Sequence, residues 1–226
     1  EDSSVPKDGK DNNDATHTLL VDADSAESVV VTGDDLTLDT NSTVLTSVDA
    51  SAMTGGITYT ADGAAAGTTV LGGQGSDALT APGSNDVLNG GAGDDTLTGA
   101  NLTQLTGGEG ADTFVMNTPS NVNSYSTILD LEAGDVIKFN FAVGGAAGDV
   151  EFSSSAVELA GTAVFQDYAN EAVNLLGNDA DDAAWFQFDG NTYIVQSGAD
   201  HSAATGTPDF QSGTDSIIQI TGLVDL

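Results

Sequence analysis

Three aspartates stand at nearly constant spacing in the middle of the 226-residue chain, each five residues after the first glycine of a glycine-rich segment. They are Asp77, Asp95 and Asp112, in the segments GGQGSDALT, GGAGDDTLT and GGEGADTFV. Glycine allows backbone conformations closed to other residues, so a short carboxylate and several carbonyl oxygens can face one point. Such a set suits Ca²⁺, which takes about 6–8 oxygen ligands, better than Mg²⁺, which needs a stricter octahedron. The spacing therefore predicts calcium as the cofactor.

The three segments belong to a longer series with a period of nine residues. Its copies begin at Gly63, Gly72, Ala81, Gly90, Gly99 and Gly107, the fifth copy being one residue short. Each copy divides into a six-residue turn and a three-residue strand that buries one apolar side chain. These apolar residues are Val70, Leu79, Leu88, Leu97, Leu105 and Phe114. A short period of this kind predicts a solenoid, in which two copies complete one coil.

If one coil takes two copies, turns about 18 residues apart stack on one edge, and the three full motifs share it. We expect two calcium ions between these turns, with the three aspartates as side-chain ligands. The carbonyl ligands are expected near Gly73, Gly75, Gly91, Gly93, Gly108 and Gly110. The opposite edge, which carries the degenerate copies, should be mostly free of metal, with Asp86 as the candidate for a weaker ion.

The alternative for the aspartates is a row of Asx turns with no ion, because Asp and Gly are ordinary turn residues. Stacked carboxylates without a cation repel one another, which disfavours this alternative for three copies on one edge. The same repulsion predicts that the repeats stay expanded at low calcium. At extracellular calcium, roughly millimolar, binding would supply the folding free energy.

Two further phrases place aspartates beside a turn and a strand. STILDLEAGDVIKFNF contains Asp130 and Asp135, and PDFQSGTDSIIQITGL contains Asp209 and Asp215. Both have the order Asp, apolar residue, Gly, Asp, apolar residue, which indicates an internal repeat. They either hold further ions or are turns capped by carboxylates, and the residues favour neither.

The whole chain divides into three predicted regions. Residues 1–18 are polar and predict a disordered lead-in or linker. Residues 19–141 consist of short β-branched runs and predict a β-solenoid with its core repeats at 63–115. Residues 142–226 predict a C-terminal cap. The fold class is therefore all-β: a right-handed parallel β-roll or β-solenoid with calcium between its turns, capped by a small β-rich region with one helix.

The predicted cap contains two recognisable elements. Residues Ala163–Leu176 lack Gly and Pro and have the apolar spacing of a helix. The stretch AAWFQFDGNTYIVQ predicts a β-hairpin with a two-residue turn at Asp189 and Gly190. Solenoids need caps, so closing the end of the roll is the expected role of this region, ahead of a ligand pocket.

Composition excludes several functional classes. The chain has 3 Lys and Arg against 35 Asp and Glu, a net charge of -32, which excludes a nucleic-acid binder and argues against anionic membranes. No apolar run reaches the roughly 20 residues of a membrane span, so no membrane insertion is expected. No Cys is present for a thiolate metal site. With neither an H-E-x-x-H nor a G-x-S-x-G motif, the sequence predicts no enzyme.

The nine-residue pattern G-G-x-G-x-D-x-apolar-x is that of the calcium-binding nonapeptide repeats of RTX proteins. The phrases LTSVDASAMTGGITYTAD and AWFQFDGNTYIVQ, with the closing GTDSIIQITGLVDL, resemble RTX-type bacterial surface-layer proteins. That resemblance implies a secreted, extracellular structural protein that self-assembles with calcium into a cell-surface lattice, the S-layer. It also implies export by a type I secretion apparatus through an uncleaved C-terminal signal.

The resemblance leaves an alternative open. RTX repeats also form the C-terminal secretion domain of larger exported enzymes and adhesins, so the chain is expected to be either such a tail or the lattice module itself. Only three repeats are full, and we expect the sequence to be the C-terminal part of something larger.

Overall fold

The computed structural model describes residues 17–21, 27–40, 42–61, 67–81, 83–117, 123–139, 153, 155–176, 183–197, 209–210, 215–224 and 226. In chain order the elements are β1 (His17–Val21), β2 (Ser28–Gly33), β3 (Leu36–Thr40), β4 (Ser47–Met53), β5 (Ile57–Ala61), β6 (Thr69–Leu71), β7 (Ala78–Thr80), β8 (Val87–Ala92), β9 (Thr96–Gly99), β10 (Gln104–Glu109), β11 (Thr113–Met116), β12 (Ser126–Ile128), β13 (Val136–Phe139), α1 (Phe165–Leu176), β14 (Ala183–Phe188), β15 (Asn191–Gln196) and β16 (Ser216–Ile220).

The strands form two sheets that alternate along the chain. One sheet has seven strands in the order β1-β3-β5-β7-β9-β11-β13, all parallel. The other has nine strands in the order β14-β15-β16-β12-β10-β8-β6-β4-β2. Because successive strands from β1 to β13 lie in different sheets, two strands and two turns complete one coil. The predicted parallel β-solenoid is confirmed.

The register places one apolar residue of each repeat above its counterpart in the next coil. In the seven-stranded sheet Leu79 pairs with Leu97 and Leu97 with Phe114, which are 18 and 17 residues later. In the nine-stranded sheet Val70 pairs with Leu88 and Leu88 with Leu105. These side chains are at most 1% exposed and form the core between the sheets. The eighth repeat position is thus the core position, as predicted.

The nine-stranded sheet continues past the roll into the C-terminal region. Strand β16 pairs in parallel with β12, and β15 and β14 follow in antiparallel order. The predicted hairpin is confirmed, with positive φ at Asp189 (48°) and Gly190 (81°), as a type I′ turn requires. Residue Trp185 of this hairpin belongs to the same buried cluster as Leu105 and Ile128 of the roll. Roll and hairpin therefore share one core.

Helix α1 covers the outer face of the C-terminal strands. Its residues Ala169, Ala172 and Val173 are fully buried in a second cluster with Phe186 and Tyr193. The helix begins at Phe165, within the predicted range Ala163–Leu176. Within the described residues α1 is the single helix, and no helix combines the length and apolarity needed to cross a membrane.

The described residues cover only part of the predicted region boundaries. Strand β1 begins at His17, so it includes the last two residues of the predicted lead-in, and residues 1–16 lie outside the described residues. The boundary between 141 and 142 also lies outside them.

Candidate metal centre

The second glycines of the three full motifs stack directly upon one another. Gly91 and Gly108 are paired in the β8–β10 register, and both have positive φ, 112° and 105°. A Cβ on Gly91 would overlap the carbonyl oxygen of Gly73, and a Cβ on Gly108 would overlap that of Gly91. Only glycine fits at these positions, because each carbonyl oxygen occupies the place of a side chain in the next coil.

The third glycines, at the fourth position of each full motif, repeat this arrangement. A Cβ on Gly93 would lie 2.6 Å from the carbonyl oxygen of Gly75, and a Cβ on Gly110 would overlap that of Gly93. The φ angles of Gly93 and Gly110 are 122° and 138°. The structure thus brings together, on one edge, the six glycines predicted as sources of carbonyl ligands.

The three predicted aspartates form a ladder along the same edge. The backbone N–H of Asp77 donates to Oδ1 of Asp95 at 2.8 Å, and that of Asp95 donates to Oδ1 of Asp112 at 2.9 Å. One coil earlier, Ile57 N–H donates to Oδ1 of Asp77 at 2.7 Å. Each carboxylate therefore ties its own coil to the preceding one with a single oxygen.

The second carboxylate oxygen turns back toward the first glycine of its own repeat. Oδ2 of Asp77, Asp95 and Asp112 occupies the space where a Cβ would stand on Gly72, Gly90 and Gly107, respectively. Oδ2 of Asp77 accepts a hydrogen bond from Gly73 N–H at 2.7 Å. Oδ2 of Asp95 is buried and has no hydrogen-bond partner among the described residues. The central repeat thus carries an orphaned anionic oxygen.

The electrostatic environment of the ladder disfavours ionised carboxylates. Burial raises the pKa of Asp95 to about 7; the hydrogen bond from Asp77 N–H opposes the shift, and the charges of Asp77, Asp112 and Asp94 add to it. Burial also raises the pKa of Asp77, against its hydrogen bonds from Ile57 and Gly73. A positive charge at this edge would lower the pKa of both carboxyl groups, because it favours their ionised forms.

Burial likewise raises the pKa of Asp112, and the carboxylates of Asp135 and Asp130 contribute to the shift. These two predicted site residues lie at the end of the same ladder. Asp135 accepts from Asp112 N–H at 2.9 Å, and Asp130 accepts from the N–H groups of Gly107 and Gly108 at 2.9 and 3.0 Å. Both residues thus accept backbone hydrogen bonds at this turn, and whether they also bind ions stays a prediction.

Asp86 lies on the opposite edge, and its surroundings differ from those of Asp95. It is fully buried, but its Oδ1 accepts from Gly67 and Thr68 N–H groups and its Oδ2 from Gly83 N–H, at 2.7 to 2.9 Å. Both oxygens are satisfied by backbone donors. The carboxylate therefore joins three backbone N–H groups of this turn and the adjacent coil.

The last two predicted residues, Asp209 and Asp215, lie away from the ladder. Strand β16 runs parallel to β12 and β8, so Asp215, which precedes β16, is at the edge of Asp86. Asp215 is fully buried, whereas Asp209 is exposed. The apparent repetition of the two phrases in sequence does not become a repetition in space.

A second type of aspartate contact joins neighbouring coils and was not predicted from the sequence. Oδ1 of Asp94 accepts from Ala111 N–H in the following coil at 2.9 Å, and Oδ1 of Asp35 accepts from Gly56 N–H at 2.8 Å. Both aspartates belong to a Gly-Asp-Asp triplet: Asp94 is the second residue of 93–95, and Asp35 is the third of 33–35. That triplet was the available signal, and it extends the same edge toward the N-terminus.

Among the described residues, no three Asp, Glu or His side chains converge closely enough to form a metal centre by themselves. A cation at this edge would therefore take most of its oxygens from backbone carbonyls, with one carboxylate from each coil. The glycine carbonyls and the orphaned Asp95 Oδ2 are a hard, all-oxygen donor set, which suits Ca²⁺. The residues present fit the predicted ion.

Comparison with protein-family models gives no match, and comparison with curated proteins gives no significant relative.

Proposed function

We propose that the chain is a non-enzymatic structural module that folds on binding calcium. The observation that carries this proposal is Oδ2 of Asp95, a buried carboxylate oxygen without a hydrogen-bond partner among the described residues, in the middle of the stacked glycine turns. An unpartnered buried anion costs several kcal/mol unless a cation or a proton neutralises it. Calcium would neutralise this oxygen and use the carbonyl oxygens beside it.

The residues that would hold the ions are those of the stacked edge. Asp77, Asp95 and Asp112 contribute carboxylate oxygens, and Gly73, Gly75, Gly91, Gly93, Gly108 and Gly110 contribute carbonyl oxygens. Calcium, when bound, supplies positive charge between coils whose carboxylates otherwise repel one another. Because these carboxylates lie between successive coils, this charge would decide whether the roll is compact.

The wider role follows from the resemblance to RTX-type surface-layer proteins. We propose that the folded module is secreted through a type I apparatus, remains extracellular at the cell surface and assembles with further copies of itself into a lattice. The large negative charge supports calcium-dependent assembly, because copies of charge -32 approach one another only when cations reduce the repulsion.

The second candidate function is that of an RTX secretion tail of a larger exported enzyme or adhesin. The continuity of sheet and core between the roll and the C-terminal hairpin supports it, since a tail of this kind would fold as one unit after export. The two functions share the calcium sites and differ in whether the chain associates with itself.

A calcium titration tests both. Protein stripped of metal with a chelator is titrated with CaCl₂ and followed by circular dichroism for folding, calorimetry for stoichiometry and light scattering for assembly. The lattice function predicts folding with about two ions, followed by growth of large particles. Folding without growth at millimolar calcium favours the secretion tail. A fold unchanged by exhaustive chelation contradicts both.

A further inference from the structure

Asn89 is the one asparagine of the chain that is followed by glycine. An Asn-Gly pair usually forms the turn of a hairpin, but here both residues lie inside β8 (Val87–Ala92). In such a pair the backbone nitrogen of the glycine can attack the side-chain amide of the asparagine, because glycine has no Cβ to obstruct the approach. Asn89-Gly90 can therefore deamidate spontaneously, and its surroundings decide when this reaction proceeds.

The reaction needs water as its only co-reactant. The Gly90 nitrogen forms a bond to Cγ of Asn89, the bond from Cγ to Nδ2 breaks, and ammonia leaves with the proton of the Gly90 amide. Water then opens the resulting five-membered succinimide ring at one of its two carbonyl groups. One product is aspartate, and the other is isoaspartate, in which the main chain passes through Cβ and Cγ. Both products replace a neutral amide with a carboxylate.

The folded strand prevents closure of the ring. Asn89 pairs with Leu71 in the preceding coil and with Thr106 in the following coil, and its carbonyl oxygen accepts a hydrogen bond from Gly72 N–H at 2.7 Å. A parallel strand holds ψ at about +115°. Ring closure requires a rotation about ψ of Asn89 that brings the Gly90 nitrogen to Cγ and turns the carbonyl oxygen away from Gly72. The strand must therefore open before the pair can react.

Burial of the side chain does not supply this protection. Asn89 is half-buried and lines a surface cleft of about 420 Å³ together with Leu71 and Glu109. Water for the second step can reach the pair through this cleft. The barrier to deamidation in the folded protein is thus the hydrogen-bonded backbone, which is lost when the coils separate.

The position of the pair makes its products harmful to the metal edge. Gly90 lies against the orphaned Oδ2 of Asp95, and the carbonyl oxygen of Gly91 fills the side-chain place of Gly108 in the next coil. Isoaspartate lengthens the main chain by one carbon just before Gly90, so these contacts cannot all form again. Aspartate leaves the chain length unchanged and adds a negative charge to the cleft that contains Glu109.

We propose that Asn89-Gly90 is a deamidation site that calcium controls through folding. The inference rests on the proposed function, because only a roll that needs calcium opens β8 when calcium is removed. Chains that remain at low calcium are altered in their central coil, and isoaspartate makes their loss of folding permanent. Calcium that binds early protects the pair, whereas calcium added late finds chains that no longer complete the roll.

The test follows the mass of each asparagine in the full chain. Samples in saturating CaCl₂, in chelator, and in CaCl₂ with urea are incubated at mildly alkaline pH, and circular dichroism records which of them are folded. Peptide mass spectrometry then measures deamidation and identifies isoaspartate. We expect Asn89 to react before the other asparagines, and at least about 10-fold faster in chelator than in CaCl₂, since the strand must open first. The sample with urea should match the sample in chelator.

Two variants connect the reaction to refolding. Asn89→Gln blocks deamidation, because the longer side chain must close a six-membered ring, which is far slower, and the cleft has room for the extra methylene. Asn174→Gln, at an exposed position of α1, is the matched control. After incubation in chelator, added calcium should restore the dichroism of Asn89→Gln fully, and that of the wild type and Asn174→Gln only in part. If Asn89→Gln does not fold before incubation, Asn89→Ser replaces it.

The inference can fail separately from the proposed function. Equal deamidation of Asn89 in calcium and in chelator, when dichroism shows that only the chelated protein is unfolded, overturns the inference alone. An equal loss of refolding in Asn89→Gln and the wild type also overturns it. A chelated protein that keeps its dichroism contradicts the proposed function, and calcium control of the pair is then lost with it.

Discussion

The backbone N–H of Asp77 donates to Oδ1 of Asp95, a residue 18 positions later, at 2.8 Å. The same contact recurs between Asp95 N–H and Asp112, and between Asp112 N–H and Asp135. A side chain that repeats once per coil thus fastens each coil to the one before it. The carboxylate uses one oxygen for this, and at Asp95 the other is buried with no hydrogen-bond partner among the described residues.

Replacing Asp95 with Asn should weaken calcium binding more than replacing Asp86 with Asn. Asparagine keeps an acceptor for Asp77 N–H but removes the charge at the orphaned oxygen. We expect calcium affinity to fall by at least about 10- to 100-fold, the loss typical of removing even an outer-shell partner of a metal ligand. Calorimetry with CaCl₂ measures the change. In Asp86→Asn the number of bound ions should be unchanged, and equal losses would refute the assignment of the two edges.

The stability of the metal-free protein should decrease as pH rises from about 4 to about 7. The pKa of Asp95 is raised by burial to about 7 in the folded state, from an ordinary value of 3.8. Below pH 4 the group is protonated in both states and makes no difference. Above pH 7 it is ionised in both, and the folded state carries an unneutralised charge. Circular dichroism in chelator at several pH values measures this slope as the fraction of folded protein.

Asp95→Asn should flatten that slope, because the group no longer titrates. With saturating calcium the slope of the wild-type protein should reverse, since the ion binds the ionised carboxylate and competes with the proton. A metal-free protein that is equally stable at pH 4.5 and pH 7.5 would contradict the electrostatic account of the ladder.

Gly90→Ala should destabilise the roll, whereas Gly161→Ala should not. A Cβ on Gly90 would overlap Oδ2 of Asp95 and lie 2.7 Å from the carbonyl oxygen of Gly107, so the coils must separate or the carboxylate must move. We expect a loss of about 1–3 kcal/mol in the free energy of unfolding, typical of overpacking. Gly161 has no atom within 4 Å of its Cβ position and serves as the control. Denaturant unfolding in calcium distinguishes the two variants.

Removal of calcium should change the fluorescence of Trp185, although this residue is outside the repeats. Trp185 is the one tryptophan of the chain, is 4% exposed, and shares the core with Leu105 and Ile128. Because β12, β16, β15 and β14 form a continuous sheet, loss of the roll removes the support of the hairpin. We expect a red shift of emission with the same calcium midpoint as the loss of β-structure.

Asp95→Asn should move both midpoints to higher calcium together. A fluorescence that stays blue-shifted while the β-structure of the repeats is lost would show that the C-terminal region folds by itself.

Much of the fold was predictable because the repeat is short and local. A turn of fixed length and one apolar residue per strand determine where each coil places its side chain, so Leu79, Leu97 and Phe114 align once the period is known. The stacking of Gly73 with Gly91 and of Gly91 with Gly108 follows from the same period. The helix and the Asp-Gly hairpin were equally predictable, since their signals lie within a few neighbouring residues.

The roles of individual aspartates were not predictable in the same way. Asp86 and Asp95 occupy the same position of their repeats, yet one has three backbone donors and the other has an oxygen with no partner among the described residues. Asp135 and Asp215 occupy similar positions in two similar sequence phrases, but they lie at opposite edges of the roll. Such differences depend on which coil is adjacent, and no local pattern contains that information.

By itself the sequence determined the coil: the nine-residue period, the apolar column, the glycine turns and the excess of carboxylates on one edge. Only the tertiary structure decided how each carboxylate is satisfied, that the C-terminal hairpin extends the sheet of the roll, and that Asn89 is held between strands of the two adjacent coils. The reason is that periodicity is encoded in adjacent residues, whereas hydrogen bonds and surfaces arise between residues about 18 or more positions apart, once the register between coils is fixed.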